Sequence, residues 1–422
     1  MTRYERLNEE LLSLPGSGAV RYFSAPGRTE LIGNHTDHNR GVVLAASVQL
    51  DMAASVKTRD DNVVILRTIA NETNTGFPDA VVDLNEGRVD GKILPLPAEK
   101  GKTEALIRGI AAQFAKQGRQ VGGFSAVSDS LVPGGSGLSS SAAVESLIGK
   151  IFDSLYPAPS APPREILSSI QIAQFGQAAE NEFFGKPCGL EDQIACASGG
   201  CSFIDFADAA NPKLETINLD LSAFGYSLCV VNTGGSHADL TDDYAAVPLE
   251  MKAVAQFFGK ELLRECEKDD VLHNAKDIRK TCGDRALMRA LHFFDENERV
   301  KQAAEALRGD NFPEYLSLVR ASGESSERLL QNIYAPKQTR EQGVTLALAL
   351  SRDFLRKIGG RGRYKDRVDT ACRVHGGGFA GTIAAYMPAT ILPAYTEMME
   401  GVFGAGSVTP LQIRPDGAME CM

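Results

Sequence analysis

Apolar positions along the chain recur with two different spacings, and the changes of spacing mark out the elements. Residues 4–14 read as a short helix, stopped by Pro15-Gly16-Ser17-Gly18. Ala19–Ala25 and Val42–Val48 read as strands, and shorter β-like runs follow at Asp51–Thr58 and Asn62–Ile69. Leu106, Ile107, Ile110 and Phe114 then repeat at helical spacing, which predicts a helix capped by Thr103 and running through Gln117 to Gly118. After a strand at Gly122–Ser130, Val144, Leu147, Ile148, Ile151, Phe152 and Leu155 make one face of a second amphipathic helix. Pro157–Pro163 reads as a surface connection, and residues 164–184 as a helix ending at Gly185. Strands are expected at Gly199–Phe206, Tyr226–Asn232 and Thr382–Met387, with a turn at Asn232–His237. The stretch onward to residue 357 is mostly helical in its periodicity.

The stretch that feeds the second amphipathic helix carries the first chemical signal. Three glycines and four serines fall between Pro133 and Ala142. Glycine permits positive φ and close approach to a ligand, and the first turn of a helix offers unpaired N–H groups to an anion. A flexible linker would not normally run straight into so regular a helix, so Gly134, Gly135, Ser136, Gly137, Leu138, Ser139, Ser140 and Ser141 are read as a phosphate cradle. A Walker A loop would need Gly-Lys-Ser/Thr, and no lysine occurs before Lys150. The dinucleotide fingerprint fits badly too, because Ser140 stands where its third glycine belongs.

Composition narrows the partners. With 422 residues, 43% of them apolar, the chain can build two substantial cores. A net charge of −10 argues against nucleic acid or an anionic membrane as partner, so phosphate affinity must be local. The eight cysteines are scattered without a C-x-x-C pair, as expected of reduced thiols in a cytoplasmic protein. The N-terminus is charged and lacks the apolar core of a signal peptide.

A second informative stretch is Pro26-Gly27-Arg28-Thr29-Glu30-Leu31-Ile32-Gly33-Asn34-His35-Thr36-Asp37-His38. Arg28, Asn34, His35, Asp37 and His38 crowd polar side chains beside short apolar runs, as binding a polyhydroxylated molecule requires. The frame Gly-Arg-x-x-Leu-Ile-Gly-x-His-Thr-Asp resembles the galactokinase signature, and the serine–glycine loop resembles the nucleotide loop of the wider GHMP kinases. Glu30, Asn34 and His38 depart from the usual Asn, Glu and Tyr. Two further stretches fit the same resemblance. Glu180 and Asp192 stand with eleven residues between them around Gly185-Lys186-Pro187-Cys188-Gly189, and Gly376-Gly377-Gly378-Phe379 is similar to the third GHMP motif. Arg289–Arg299 is also similar to a galactokinase helix, read as structural.

The resemblance implies an α+β chain of two GHMP kinase domains. The N-terminal domain (1–224) would be like ribosomal protein S5 and the C-terminal domain (225–422) ferredoxin-like, with the active site in the cleft between them. It further implies ATP on residues 134–141 and Mg²⁺ on Ser141 and Glu180. Asp192 and Arg28 would be the catalytic pair, and Asn34, His35, Asp37, Gly189 and Tyr244 the sugar contacts. The expected partners are a small-molecule sugar and ATP, with no nucleic acid and no membrane, on a monomer. Asn34 and His38 leave three readings open: galactose 1-phosphorylation, a kinase for galacturonate or an N-acetylhexosamine, and a non-catalytic sugar sensor.

Overall fold

The computed structural model describes residues 2–72, 74, 76–157, 166–235, 240–359 and 369–421. Most of the proline-rich connection and the end of the turn after Asn232, including Ser236, His237 and Asp239, lie outside the described residues. The chain forms two compact units from interleaved segments. One comprises 1–28, 47–200 and 414–422, the other 29–46 and 201–413.

In the first unit, the helix Arg3–Leu12 starts with a capping box between Thr2 and Glu5. Its Leu7 and Leu11 are buried with Leu14, Ala53 and Val127, and Arg3 reaches both Asp51 and Asp129. The sheet runs in the order Met419–Cys421, Arg21–Ile32, Val42–Thr58, Phe124–Ser130, Val63–Thr68, Phe77–Asp83. Val63–Thr68 pairs parallel to Phe124–Ser130 and the other registered pairs in this unit are antiparallel. Helices Thr103–Lys116, Ser140–Leu155 and Ser169–Ala178 meet through Phe114, Phe152 and Phe175. The rings of Phe114 lie 5.6 Å from Phe152 and 5.1 Å from Phe175, and Phe124 of the sheet completes the group.

Three expectations change. The strand read as ending at Ala25 continues to Ile32, and the two runs read between Val42 and Thr58 form one strand of 17 residues. Both extensions are buried almost throughout, and burial against neighbours overrides the turn preference of Pro26-Gly27. Thr103 is the first residue of its helix rather than the cap, since Lys102 takes that place without a side-chain bond.

The second unit holds an antiparallel four-stranded sheet ordered Ala371–His375, Thr382–Pro388, Tyr226–Asn232, Val408–Leu411. Helices Gly343–Gly359 and Leu392–Phe403 cover it through Val344, Ala347, Leu348, Leu355, Tyr395 and Met399. A helical layer follows, in which Thr241–Phe257 and Asp284–Arg308 bury Val247, Met251, Ala290 and Phe293, and Phe312–Ser325 buries Tyr315, Leu316 and Val319. The helical periodicity up to residue 357 is thereby accounted for. Val42–Ala46 also pairs with Cys201–Asp205, and that strand with Lys213–Ile217. All eight cysteines are free. Among the described residues, no helix is long and apolar enough to cross a membrane.

Candidate functional site

The first unit gathers Arg28, the serine–glycine loop and Asp192. The backbone enters Arg28 against the loop, with the Arg28 N–H donating to the Leu138 carbonyl at 3.0 Å. A Cβ on Gly27 would stand 2.7 Å from that same oxygen, so only glycine permits the approach. The guanidinium donates through Nη1 to the Gly137 carbonyl at 2.5 Å. Through Nε and Nη2 it meets Asp192 Oδ1 at 2.7 and 2.6 Å. Arg28 is buried, whereas the Asp192 side chain keeps 37% of its exposure.

Gly135 and Gly137 hold the loop at φ of 70° and 72°, and Ser136 closes it by donating to the Pro133 carbonyl at 2.7 Å. Ser139 precedes the helix Ser140–Leu155 at φ 56°, a left-handed conformation that costs a non-glycine residue about 1–2 kcal/mol. Its hydroxyl does not cap the helix but donates to Asp192 Oδ2. Ser140 and Ser141 occupy the first helical turn, half-buried, and Asp192 lies in the first turn of the helix Glu191–Ser198, where a carboxylate is favoured. Gly189 lies two residues before that helix.

Glu180 sits in a π-helical segment, Ala179–Phe184, that continues the preceding α-helix and ends at Gly185 with φ 88°. The wider turn changes which face the side chains present, a device frequent at functional sites. Lys186 Nζ lies 3.1 Å from Glu180 Oε1, and Gln193 Nε2 donates to Oε2 at 3.1 Å. The same amide nitrogen donates to Glu145 Oε2 at 3.0 Å. Glu145 is fully buried, and burial, reinforced by Glu180, raises its carboxyl well above the usual range. Its Oε1 has no hydrogen-bond partner among the described residues. Glu145 escaped sequence reading because a lone Glu on a helix carries no signal until its neighbours are known.

The second unit carries the polar turn. His35 adopts φ 60°, its Nε2–H donates to the Gly377 carbonyl at 2.9 Å, and its ring lies 5.6 Å from His38 and 5.2 Å from Tyr244. Tyr244 is 44% exposed. Asp37 accepts from the His38 N–H at 2.9 Å, with the His38 ring 3.7 Å away. The Asn34 amide is taken up by protein groups on both sides. Nδ2 donates to Glu30 and to the Gly376 carbonyl at 2.7 Å, and Oδ1 accepts from Asn332 at 2.7 Å and Ser326 at 3.4 Å. Glu30 is tied to the fully buried Arg373 at 2.5 Å. Asn332 and Arg373 were missed in the sequence because they come from distant segments without local pattern.

Burial, then the His38 charge, lowers the His35 pKa from 6.5 to about 3, and burial lowers that of His292 as well. Both rings fold in the neutral form, and unfolding lets them bind protons below about pH 6.5. Their contribution to stability is therefore complete above that pH and erodes below it, for His35 until the pH reaches about 3, by at most about 1.4 kcal/mol per pH unit for each ring. Thermal midpoints measured between about pH 7.5 and 5 should fall. The slope should flatten in His35→Asn, because Asn tolerates the left-handed backbone and carries no such proton.

Comparison with known proteins places these features. The galactose-binding signature of galactokinases matches residues 16–58, and the N-terminal domain of GHMP kinases matches residues 105–200. A galactokinase of Glaesserella parasuis is 30% identical over 365 residues, covering 86% of this chain and 84% of that protein. One from Actinobacillus pleuropneumoniae is 29% identical over 376 residues, 88% and 86% of the two chains. The crystal structure of Lactococcus lactis galactokinase complexed with galactose superposes with a TM-score of 0.75 at 24% identity, covering 100% of both chains. L. major mevalonate kinase in complex with R-mevalonate gives 0.58 at 12%, covering 95% of this chain and 98% of that one. With the signature in place and a relative 30% identical over most of its length, the chain belongs to the galactokinase family, on the GHMP kinase fold.

Proposed function

We propose that the protein is an ATP-dependent sugar 1-kinase whose acceptor is galactose. The observation that carries the reading is the constellation of Arg28, Ser139 and Asp192 on the serine–glycine loop. It places a carboxylate, a guanidinium and the N-terminus of a helix together in one unit. Phosphoryl transfer asks the protein chiefly for positioning and for neutralising charge, and these groups supply both.

The loop Gly134–Ser141 would hold the phosphates of ATP on backbone N–H groups at the helix start. His35, Asp37 and Tyr244 would contact the sugar, with Gly189 beside Asp192, and Asn34 would act from behind the turn through its bonds to Glu30 and Asn332. Asp192 accepts or orients the proton of the anomeric hydroxyl while that oxygen forms its bond to the γ-phosphorus. The bond from the γ-phosphorus to the bridging oxygen breaks, and the electron pair leaves with ADP. Arg28 holds Asp192 in place and would stabilise charge on the transferred group.

Glu180 and Ser141 offer hard oxygen donors, the kind Mg²⁺ takes in small number alongside phosphates and water. Glu180 Oε1 is engaged by the Lys186 ammonium at 3.1 Å, so a metal would take that oxygen in exchange for Lys186. Bound there, the metal would neutralise the phosphates. We assign the working division of the chain to residues 1–224 and 225–422, and the enzyme to the cytoplasm as a monomer.

Turnover of ATP on a panel of galactose, galacturonate and N-acetylgalactosamine tests the acceptor. Galactose is expected to give the highest kcat/KM. A higher value with galacturonate would move the assignment to a C6-modified sugar, and no sugar-dependent ADP release from any of them would leave a sensor.

A further inference from the structure

The helix Asp284–Arg308 contains a polar run, Arg289–Arg299, that the reaction leaves unused. Three of its side chains address the polar turn. His292 and Glu296 stand four residues apart on one helical face, Asn297 follows Glu296, and all three are buried or half-buried. His292 Nε2 donates to the Asn34 carbonyl at 2.9 Å, while its Nδ1 accepts from Ser325 Oγ at 2.9 Å. Glu296 Oε1 accepts from the Gly33 N–H at 3.0 Å, and Asn297 Oδ1 accepts from the Val42 N–H at 2.7 Å. These bonds fall on both ends of the turn that presents His35 and Asp37. The fit at the far end is close, since a Cβ on Gly41 would lie 2.6 Å from Asn297 Oδ1.

The three side chains are themselves braced. Glu296 also takes the Ser322 hydroxyl at 2.5 Å and Arg299 Nε at 2.8 Å, and Asn297 Nδ2 donates to the Phe293 carbonyl at 2.6 Å. Burial opposes ionisation of Glu296, but the charges of Arg299 and Arg373 hold its pKa down at about 2, so it meets the Gly33 N–H as a carboxylate. A buried carboxylate on a backbone N–H is a strong, directional bond. A turn containing a positive-φ histidine is held by such bonds rather than by its own preference.

We infer that His292, Glu296 and Asn297 are positioning residues for sugar binding, fixing the entry and exit of the turn so that His35 and Asp37 meet the sugar without reorganising. This rests on the proposal that the turn is the sugar contact. It assigns to the Arg289–Arg299 run a function in acceptor affinity that is separate from nucleotide binding.

The test uses the full-length enzyme with Asn297→Leu, which removes the acceptor at similar volume, and His292→Gln, which keeps a donor for the Asn34 carbonyl. Sugar and ATP are each varied at saturation of the other, and hydrogen exchange is followed over residues 33–42. In Asn297→Leu, kcat/KM for galactose is expected to fall by about 10- to 100-fold, the loss typical of a small misplacement of a binding group. The KM for ATP should stay unchanged, exchange should speed up in residues 33–42, and His292→Gln should lie nearer the wild type. Folded Asn297→Leu with wild-type sugar constants would overturn the inference. So would sugar and ATP constants moving together or, where Asn297→Leu fails to fold, a folded Asn297→Ala with wild-type sugar constants. Wild-type enzyme without turnover on galactose would instead strike the activity reading. Unchanged exchange at 33–42 in both variants would then strike the clamp on its own.

Discussion

Asp192→Asn is expected to lower kcat by about 10²- to 10⁴-fold, the range of a lost general acid–base group. ATP affinity should be nearly unchanged. The amide is isosteric but carries no charge and offers one acceptor oxygen where the carboxylate offers two. Arg28 approaches one oxygen and Ser139 the other, so the substitution forces an N–H against one of these donors. Both the orientation of the acceptor hydroxyl and the place for its proton are disturbed, while the loop proposed to hold the nucleotide phosphates remains. Steady-state rates together with direct measurement of ATP binding check the result, and wild-type turnover in Asp192→Asn would remove Asp192 from the chemistry. Arg28→Met should overlap with it, because the two side chains act as one bonded unit, and the double variant should cost less than the product of the singles.

Glu30→Ala is expected to destabilise the protein by about 3–5 kcal/mol, the cost of leaving a buried charge without its partner. Arg373 is fully buried, and its guanidinium meets Glu30 Oε1 at 2.5 Å and the Leu31 carbonyl at 2.9 Å. Removing the carboxylate strands that charge and also takes away one of the two acceptors of the Asn34 amide nitrogen, leaving the Gly376 carbonyl. The thermal midpoint should drop, and galactose affinity should weaken with it. Replacing both partners, as Glu30→Leu with Arg373→Met, should recover much of the stability, since a buried ion pair can often be exchanged for apolar packing. Recovery of stability without recovery of sugar affinity would separate support of the fold from orientation of the turn.

The same pair explains a departure visible in the sequence. The resemblance expects an amide at position 30 and a carboxylate at position 34, and this chain has the two exchanged. In the structure the exchanged groups bond to each other, and Arg373 stands on the side where the carboxylate now is. Position 34 read alone suggests a change of substrate. Read with its partners, the Asn34 amide is spent on Glu30, Gly376, Asn332 and Ser326.

The patterns on which the proposed chemistry rests are local. The glycines and serines of 134–141, the Gly-Arg frame around residue 28 and the Glu180–Asp192 spacing are short-range patterns, because a tight turn or a helix start constrains only its own few residues. Helical periodicity likewise marked the helices Thr103–Lys116 and Ser140–Leu155. What the sequence by itself could not determine depends on partners far along the chain. The π-helical placement of Glu180, the Gln193 amide shared by Glu145 and Glu180, and the grip of His292, Glu296 and Asn297 on a turn some 255–263 residues away are decided by tertiary packing. A side chain's identity limits the bonds it can make, but only folding chooses which donor or acceptor shares its low-dielectric surroundings, and there each such choice carries a large energy.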